Sequence, residues 1–254
     1  MTDSRVPVGV TCIIPARLAS TRLPNKPLVD LCGKTMLQRV WERASAAQSA
    51  ARVVIATPDR EVAQAAERFG AQAVMTSPSH RSGSDRIAEA ADLLRLTPDE
   101  IVVNVQGDEP LLDPASIDMA VEPLTQESDL FMTSLMCACP ATDLDNPSTV
   151  KVVCNIQGDA LYFSRARIPF SRAAEAAEVM QHIGLYAYRR SFLRVFTGLA
   201  PAVLEQVEVL EQLRALEHGY RIRMVTVRQA PIGVDTAEDL QRARELLQST
   251  APFS

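Results

Sequence analysis

Apolar, strand-like runs alternate with helix-like segments through residues 9–106, and this alternation is the feature that most constrains the fold. The four apolar runs are 9–14, 51–57, 71–76 and 100–106. Segments with helical spacing of apolar residues separate them. Because parallel strands need long crossover connections, the pattern predicts parallel βαβ units with both faces of the sheet covered.

The second half of the chain breaks this alternation. Residues 148–165 predict a hairpin that turns at Gln157-Gly158-Asp159. Leu204, Val207, Leu210, Leu213 and Leu216 form an apolar stripe, which predicts one long helix over 203–219. Further strands are predicted at 129–139, 182–188 and 221–227, and a capped helix at 236–248. The hairpin and its neighbours indicate antiparallel strands inserted into the parallel pattern.

The predicted fold is α/β: a three-layer α/β/α sandwich with a mostly parallel, Rossmann-like sheet and an antiparallel extension. A chain of 254 residues that is 47% hydrophobic can form one large domain of this kind. We therefore expect a single domain over 1–254, with an insertion near 140–190.

Charge and composition exclude several classes of protein. A net charge of −5 argues against a general nucleic-acid or membrane-surface binder. The start of the chain has no apolar signal region, and no apolar run reaches the roughly 20 residues that a membrane span needs. The cytoplasm is the expected location. The number of cysteines, five, is odd, and we expect structural thiols rather than disulfides.

A cationic loop follows the first strand. Residues 15–28 hold three cations, Arg17, Arg22 and Lys26, together with three prolines and no acidic residue. Ligands of parallel sheets bind beyond the carboxyl ends of the strands, so this stiff loop is placed to grip a polyphosphate. It matches neither the Walker motif nor GxGxxG. The alternative is a solvated loop whose charges pair with nearby acids.

Two acidic motifs could complement this loop. The stretch VNVQGDEPLL (103–112) places Gln106, Asp108 and Glu109 directly after a strand. The stretch GVDTAEDL (233–240) places Asp235 before a helix, and we expect it to follow a second strand of the same sheet. A triphosphate needs Mg²⁺, which binds one or two carboxylates together with phosphate oxygens. A turn at 106–110 and an ordinary helix cap at Asp235 are the alternatives.

Seven motifs in order identify a family that the chain resembles. They are IIPARLASTRLPNKPL (13–28), HRSGSDR (80–86), VNVQGDEP, YFSRARIP (162–169), HIGLYAY (182–188), LEQLR (210–214) and GVDTAEDL. Their order and spacing over about residues 9–248 resemble the 3-deoxy-manno-octulosonate cytidylyltransferase family of Gram-negative bacteria.

The resemblance implies an enzyme with the fold of the nucleotide-diphospho-sugar transferases. Such an enzyme joins CTP and 3-deoxy-D-manno-octulosonate (Kdo) to give CMP-Kdo and pyrophosphate, with Mg²⁺ as cofactor, and so activates Kdo for lipopolysaccharide synthesis. The insertion near 140–190 would serve dimerisation and sugar binding in a homodimer. Neither nucleic acid nor membrane is an expected partner.

The resemblance also implies a role for each matching residue. The nucleotide would contact Arg17, Arg22, Lys26, Ser82, Gly83 and Arg86. The sugar would contact Gln106, Arg165, His182, Tyr186, Glu211 and Gln212. The metal ligands would be Asp108 and Asp235, which with Lys26 form the catalytic set.

Two departures and several alternatives qualify these roles. Asn25 stands where the family usually has Gly, and the stretch 171–181 is short against the family. His182 and Tyr186 could be core residues, and Glu211 could lie on the solvent face of its helix. The function could instead be a cytidylyltransferase for a sialic or other nonulosonic acid, or a non-catalytic nucleotide-binding module.

Overall fold

The computed structural model describes residues 8–19, 23–172 and 178–250, and its chain forms two compact units. Unit 1 comprises 1–118 and 231–254, and unit 2 comprises 119–230. The strands are β1 (Val10–Pro15), β2 (Arg52–Thr57), β3 (Gln72–Met75), β4 (Ile101–Asn104), β5 (Met132–Ala138), β6 (Lys151–Cys154), β7 (Ala160–Ser164), β8 (Met180–Arg189) and β9 (Arg223–Thr226). The α-helices are α1 (Met36–Ser45), α2 (Arg60–Arg68), α3 (Gly83–Leu93), α4 (Pro114–Gln126), α5 (Arg190–Gly198), α6 (Val203–Glu208), α7 (Leu213–Glu217) and α8 (Ala237–Thr250).

Unit 1 contains the predicted parallel sheet. Its strands lie in the order β3-β2-β1-β4 and pair in parallel. Cys12, Ile13 and Ile14 of the central strand β1 are fully buried, as expected of a strand covered on both faces. The helices α1, α2 and α3 contact these strands. The α/β class and the βαβ order of residues 9–106 are confirmed.

Unit 2 contains the antiparallel strands. The strand β5 pairs antiparallel with β8 and parallel with β9. The strand β6 pairs antiparallel with both β7 and β8. The predicted hairpin is confirmed, and Gly158 in its turn has a φ of 82°, a conformation that favours glycine. The single-domain organisation with an insertion near 140–190 stays a prediction.

The prediction of one helix over 203–219 is wrong. The helix α6 ends at Glu208, because Val209 adopts a left-handed conformation with a φ of 54°, and α7 begins only at Leu213. The guanidinium of Arg165 donates to the backbone oxygens of Glu208 and Val209 and so satisfies carbonyls at the end of α6. Two members of the expected stripe, Leu204 and Val207, are therefore exposed.

Two helices had no counterpart in the sequence-based prediction. The helix α4 begins at Pro114, where a missing N–H costs nothing, and contains Pro123 three residues before its end. The helix α5 follows directly from β8 without a connecting loop. The prolines of α4 made its sequence atypical of a helix. No sequence signal marks the boundary between β8 and α5. No helix in the described ranges is long and apolar enough to cross a membrane.

Candidate active site

A cavity of about 430 Å³ lies in unit 1, at the carboxyl ends of β1 and β4. The predicted residues that line it are Arg17, Lys26, Ser82, Gly83, Arg86, Gln106, Asp108 and Asp235. Arg22 lies outside the described residues. The structure thus brings the predicted nucleotide residues that it describes, the metal pair and Gln106 to one cavity.

Close contact between two loops explains the glycine in the QGDEP motif. A Cβ atom on Gly107 would lie 3.0 Å from the backbone oxygen of Pro15, at the end of β1. Any other residue would push the loop after β4 away from the loop after β1. Glycine at this position therefore lets the cationic loop and the Asp108 loop share the cavity.

The helix α3 contributes its N-terminal end to the same cavity. Ser82 caps the helix, since its hydroxyl accepts a hydrogen bond of 3.1 Å from the backbone N–H of Asp85. Ser82 and Gly83 both line the cavity. The partial positive charge of a helix N-terminus suits an anion.

Cations converge on this cavity from two segments, the cationic loop and residues 81–86. Arg86 is buried, and its guanidinium donates to the hydroxyl of Thr76 at 2.7 Å. Burial, reinforced by the charge of Arg17, lowers the pKa of the Arg86 guanidinium. Arg81 also lines the cavity, although sequence reasoning did not select it. Its place in HRSGSDR, directly before the cap of α3, was the available signal.

Lys26 lies between the two predicted metal ligands. Its ammonium is 2.7 Å from Asp108 Oδ2 and 2.7 Å from Asp235 Oδ1. The loop that carries it is fixed by a short 3₁₀-helix over Lys26–Leu28, in which Pro27 is buried. Asn25 precedes that helix with a φ of 52°, so it adopts the left-handed conformation that the family's usual glycine would favour.

Asp235 reaches Asp108 by a route different from the expected one. It does not follow a strand: β9 ends at Thr226, and Asp235 lies in the segment before α8. The backbone N–H of Val234 donates to the backbone oxygen of Asp108 at 2.9 Å and holds the two segments together. Val234 itself is buried in a cluster with Leu31 and Met36.

Asp239 and Thr236, rather than the Asp235 carboxylate, cap α8. Asp239 Oδ2 accepts hydrogen bonds from the backbone N–H of Thr236 and of Asp235, at 2.9 and 3.0 Å. The hydroxyl of Thr236 accepts in turn from the N–H of Asp239 at 3.2 Å. This reciprocal cap starts α8, while the Asp235 carboxylate contacts Lys26.

The donor set at this position fits Mg²⁺ only when a ligand supplies oxygens. No group of three or more His, Cys, Asp or Glu side chains in the described part of the chain could hold a metal ion. Two carboxylates are nevertheless the usual protein share of a Mg²⁺ site, with water and phosphate oxygens as the other ligands. Asp108 and Asp235 could therefore hold Mg²⁺ together with a nucleotide.

Unit 2 brings together three of the predicted sugar residues. The rings of His182 and Tyr186 are 5.4 Å apart. Burial raises the pKa of the Tyr186 hydroxyl, and the nearby carboxylate of Glu211 raises it further. Because α6 and α7 are separate, Glu211 lies in the turn between two helices and is partly buried. It does not occupy the solvent face of one continuous helix.

A bulge in β8 accounts for the contact between His182 and Tyr186. The pairing with β5 shifts between Ser134, opposite Tyr186, and Leu135, opposite Ile183. The Ser134 hydroxyl lies 3.1 Å from the oxygen of Ile183 and 3.0 Å from that of Leu185. It also lies 2.9 Å from His182 Nε2. Pattern alone could not reveal this irregularity.

Hydrogen bonding and burial define the state of His182. The backbone oxygens of Ile183 and Leu185 can only accept, so we assign the one hydrogen of the Ser134 hydroxyl to that side. This assignment makes Nε2 of His182 the protonated nitrogen and Nδ1 the acceptor. Burial lowers the pKa of His182 to about 3. The ring is therefore neutral near pH 7 and offers an acceptor rather than a positive charge.

Gln212 and Arg165 have different surroundings. Gln212 is buried, and its Nε2 has no hydrogen-bond partner within residues 8–19, 23–172 and 178–250. A buried amide of this kind is suited to a ligand oxygen. The Arg165 guanidinium donates to the oxygens of Pro147, Glu208 and Val209, so it also anchors the end of α6.

Known proteins resemble this chain over nearly its whole length. The family model described as cytidylyltransferase matches residues 11–222. A protein of Syntrophus aciditrophicus named 3-deoxy-manno-octulosonate cytidylyltransferase is 46% identical over 95% of this chain and 98% of its own length. A protein of Pseudomonas fluorescens with the same name is 49% identical over 94% and 98%. A solved structure of CMP:2-keto-3-deoxy-manno-octonic acid synthetase complexed with CTP has a TM-score of 0.91 at 42% identity, covering 95% of this chain and 99% of that one.

Proposed function

The chain belongs to the cytidylyltransferase family and, within it, to the 3-deoxy-manno-octulosonate cytidylyltransferases, and from this premise we propose that it joins CTP and Kdo to give CMP-Kdo and pyrophosphate. The single observation that carries the proposal is the unit 1 cavity, where cations converge beside the Asp108–Asp235 pair. A phosphate grip alone would suit a binding module, whereas the added carboxylate pair suits phosphoryl chemistry. The names of the relatives favour Kdo over other acidic sugars.

The reaction is a displacement at the α-phosphorus of CTP. The anomeric hydroxyl of Kdo attacks, a new P–O bond forms, and pyrophosphate leaves together with the hydroxyl proton. Arg17 and Lys26 bind the β- and γ-phosphates and stabilise the charge that grows on the leaving group. Ser82 and Gly83 enclose the cytidine side of the nucleotide. Asp108 and Asp235 would hold Mg²⁺, which would neutralise phosphate charge.

The sugar is bound by residues of unit 2. His182 accepts a hydrogen bond from a sugar hydroxyl at Nδ1, and the amide of Gln212 donates to a sugar oxygen. Tyr186 and Glu211 complete the polar group, and Arg165 fixes the end of α6 from which Glu211 and Gln212 follow. The neutral state of His182 supports a role toward a hydroxyl rather than toward the substrate carboxylate.

Pyrophosphate release tests the proposed function. The protein with CTP, Kdo and Mg²⁺ is expected to release one pyrophosphate for each CMP-Kdo formed, measured by a coupled assay and by chromatography of the product. CTP without sugar should give no release, and N-acetylneuraminate should replace Kdo poorly. Binding of CTP without product would indicate the non-catalytic module, and preference for N-acetylneuraminate would indicate the sialic acid alternative.

Replacement of His182 by Phe separates sugar binding from packing. Phe keeps a ring against Phe163, which lies 5.0 Å away, and against Tyr186. Loss of one neutral hydrogen bond should raise the KM for Kdo by roughly 2- to 10-fold, with little change in the KM for CTP. Because the pKa of His182 is about 3, its protonation should not change the KM for Kdo between about pH 6 and 8.

His218→Phe is the matched control for His182→Phe. Its ring contacts the backbone oxygen of Ala200 and is exposed, so the substitution should leave both KM values unchanged. Normal kinetics in His182→Phe, with a lowered melting temperature in His182→Ala, would show that the ring only packs in the core.

We also propose a homodimer and a cytoplasmic location. Three large apolar side chains in or beside the predicted insertion are exposed: Ile156 by 98%, Leu161 by 60% and Phe170 by 88%. We propose that these side chains belong to one apolar patch, the kind of surface that marks an interface. Light scattering of the purified protein should give the mass of two chains, and Leu161→Glu with Phe170→Glu should reduce it to one; a wild-type mass of one chain would refute the dimer.

A further inference from the structure

Lys26 occupies the position that a divalent cation would take. Its side chain is 13% exposed, whereas those of Asp108 and Asp235 are 35% and 43% exposed. The ammonium lies at the same distance, 2.7 Å, from one oxygen of each carboxylate. A bound metal ion would be expected to bridge two carboxylates from different segments in this way. Here the bridging cation is the ammonium of Lys26.

The ammonium and a divalent cation exclude each other at this position. A cation that binds both carboxylate oxygens would lie within a few ångströms of the present ammonium. Two cations at such a distance repel each other, even near water. The Asp108–Asp235 pair can therefore bind either the Lys26 ammonium or a divalent cation, and binding of one weakens binding of the other.

The backbone around Lys26 is fixed, but its side chain can move. The backbone N–H of Leu28 donates to the oxygen of Asn25 at 2.8 Å, and the buried Pro27 holds the short helix in place. A lysine side chain has four flexible carbons, so the ammonium can leave the carboxylates without a shift of the loop. The cavity beside it, lined by Arg17 and Ser82, is where phosphate would offer it another anion.

We propose that Lys26 acts as a built-in counter-cation that keeps the Asp108–Asp235 pair from binding a divalent cation until nucleotide phosphate takes up its ammonium. Metal and nucleotide then bind together, and metal binding in the absence of nucleotide is weak. This coupling rests on the proposed function for the identity of the nucleotide. It assigns Lys26 a role before the chemical step, in addition to its role toward the leaving group.

Mn²⁺ binding in the absence of CTP and Kdo tests the coupling. The free Mn²⁺ concentration is measured by electron paramagnetic resonance for the wild type, Lys26→Met and Lys34→Met. Lys26→Met should bind Mn²⁺ roughly 5- to 150-fold more tightly than the wild type, the range of a typical coupling between sites. Lys34→Met removes an ammonium that pairs with Glu42 in the same unit and should bind Mn²⁺ as the wild type does.

A second substitution and a second measurement locate the effect. Asp235→Asn added to Lys26→Met should abolish the gain in Mn²⁺ affinity. If Lys26→Met is unstable, its melting temperatures in EDTA and in Mn²⁺ still test the proposal. Without the ammonium the carboxylates of Asp108 and Asp235 repel each other, and bound Mn²⁺ should relieve that repulsion. The variant should then gain more in melting temperature from Mn²⁺ than the wild type gains.

The outcomes are distinct from those of the proposed function. Equal Mn²⁺ affinities and equal gains in melting temperature for the wild type and Lys26→Met would overturn the counter-cation role, even in an enzyme that makes CMP-Kdo. A protein that shows the tighter Mn²⁺ binding in Lys26→Met but makes no product would overturn the proposed function and leave the coupling intact.

Discussion

Asp235→Asn is expected to fold normally and to lose turnover by roughly 10²–10³-fold, the cost typical of removing one preorganised electrostatic contact from an active site. The substitution keeps the size of the side chain but removes a charge that lies 2.7 Å from Lys26 and belongs to the proposed metal pair. Pyrophosphate release with CTP and Kdo, measured over a series of Mg²⁺ concentrations, should also show a higher Mg²⁺ requirement.

Asp239→Asn is the control for this experiment. Asp239 lies four residues further on, and its carboxylate accepts the hydrogen bonds that cap α8. Weakening a cap costs about 0.5–2 kcal/mol of stability, so this variant should lose melting temperature and keep most of its turnover. Near-normal turnover of Asp235→Asn at low Mg²⁺, or equal losses in the two variants, would contradict the metal role of Asp235.

The fold of unit 1 was predictable because its signals are local. Strands buried on both faces appear as continuous apolar runs, and β1 shows this directly in Cys12, Ile13 and Ile14. In unit 2 the hairpin turn at Gly158 was likewise visible, because glycine suits a positive φ. In each case the physics acts within a few residues of the signal.

Features that depend on distant contacts were not predictable. The apolar stripe of 203–219 favours one helix, but the guanidinium of Arg165, far away in the chain, binds the carbonyls that end α6. The bulge in β8 arises from its pairing with β5. Asp235 meets Asp108 through one backbone hydrogen bond from Val234, not through the end of a strand. Sequence motifs identify residues such as Arg165 and Asp235, but they do not reveal the contacts that position these residues.

Lys26→Ala is expected to lower kcat/KM for CTP by roughly 10- to 150-fold, which corresponds to the 1.5–3 kcal/mol of one charged hydrogen bond. The ammonium stabilises charge that increases on pyrophosphate as it leaves, so kcat should fall as well as affinity for CTP. Lys34→Ala removes an ammonium that binds Glu42, outside the cavity lining, and should leave the kinetics unchanged.

The two roles of Lys26 predict opposite signs for two measurements on the same variant. Without nucleotide, removing the ammonium uncovers the Asp108–Asp235 pair and should strengthen Mn²⁺ binding; with nucleotide, removing it withdraws charge from the phosphates and should slow turnover. A purely structural lysine would change both in the same direction, because loss of local order weakens metal binding and catalysis together. Lys26→Ala should therefore show lower kcat/KM for CTP and higher Mn²⁺ affinity, measured by pyrophosphate release and by electron paramagnetic resonance. Unchanged kcat and KM for CTP would show that Lys26 does not bind the phosphates. A loss of both turnover and Mn²⁺ affinity would show that Lys26 only forms an ion pair that holds the two segments together.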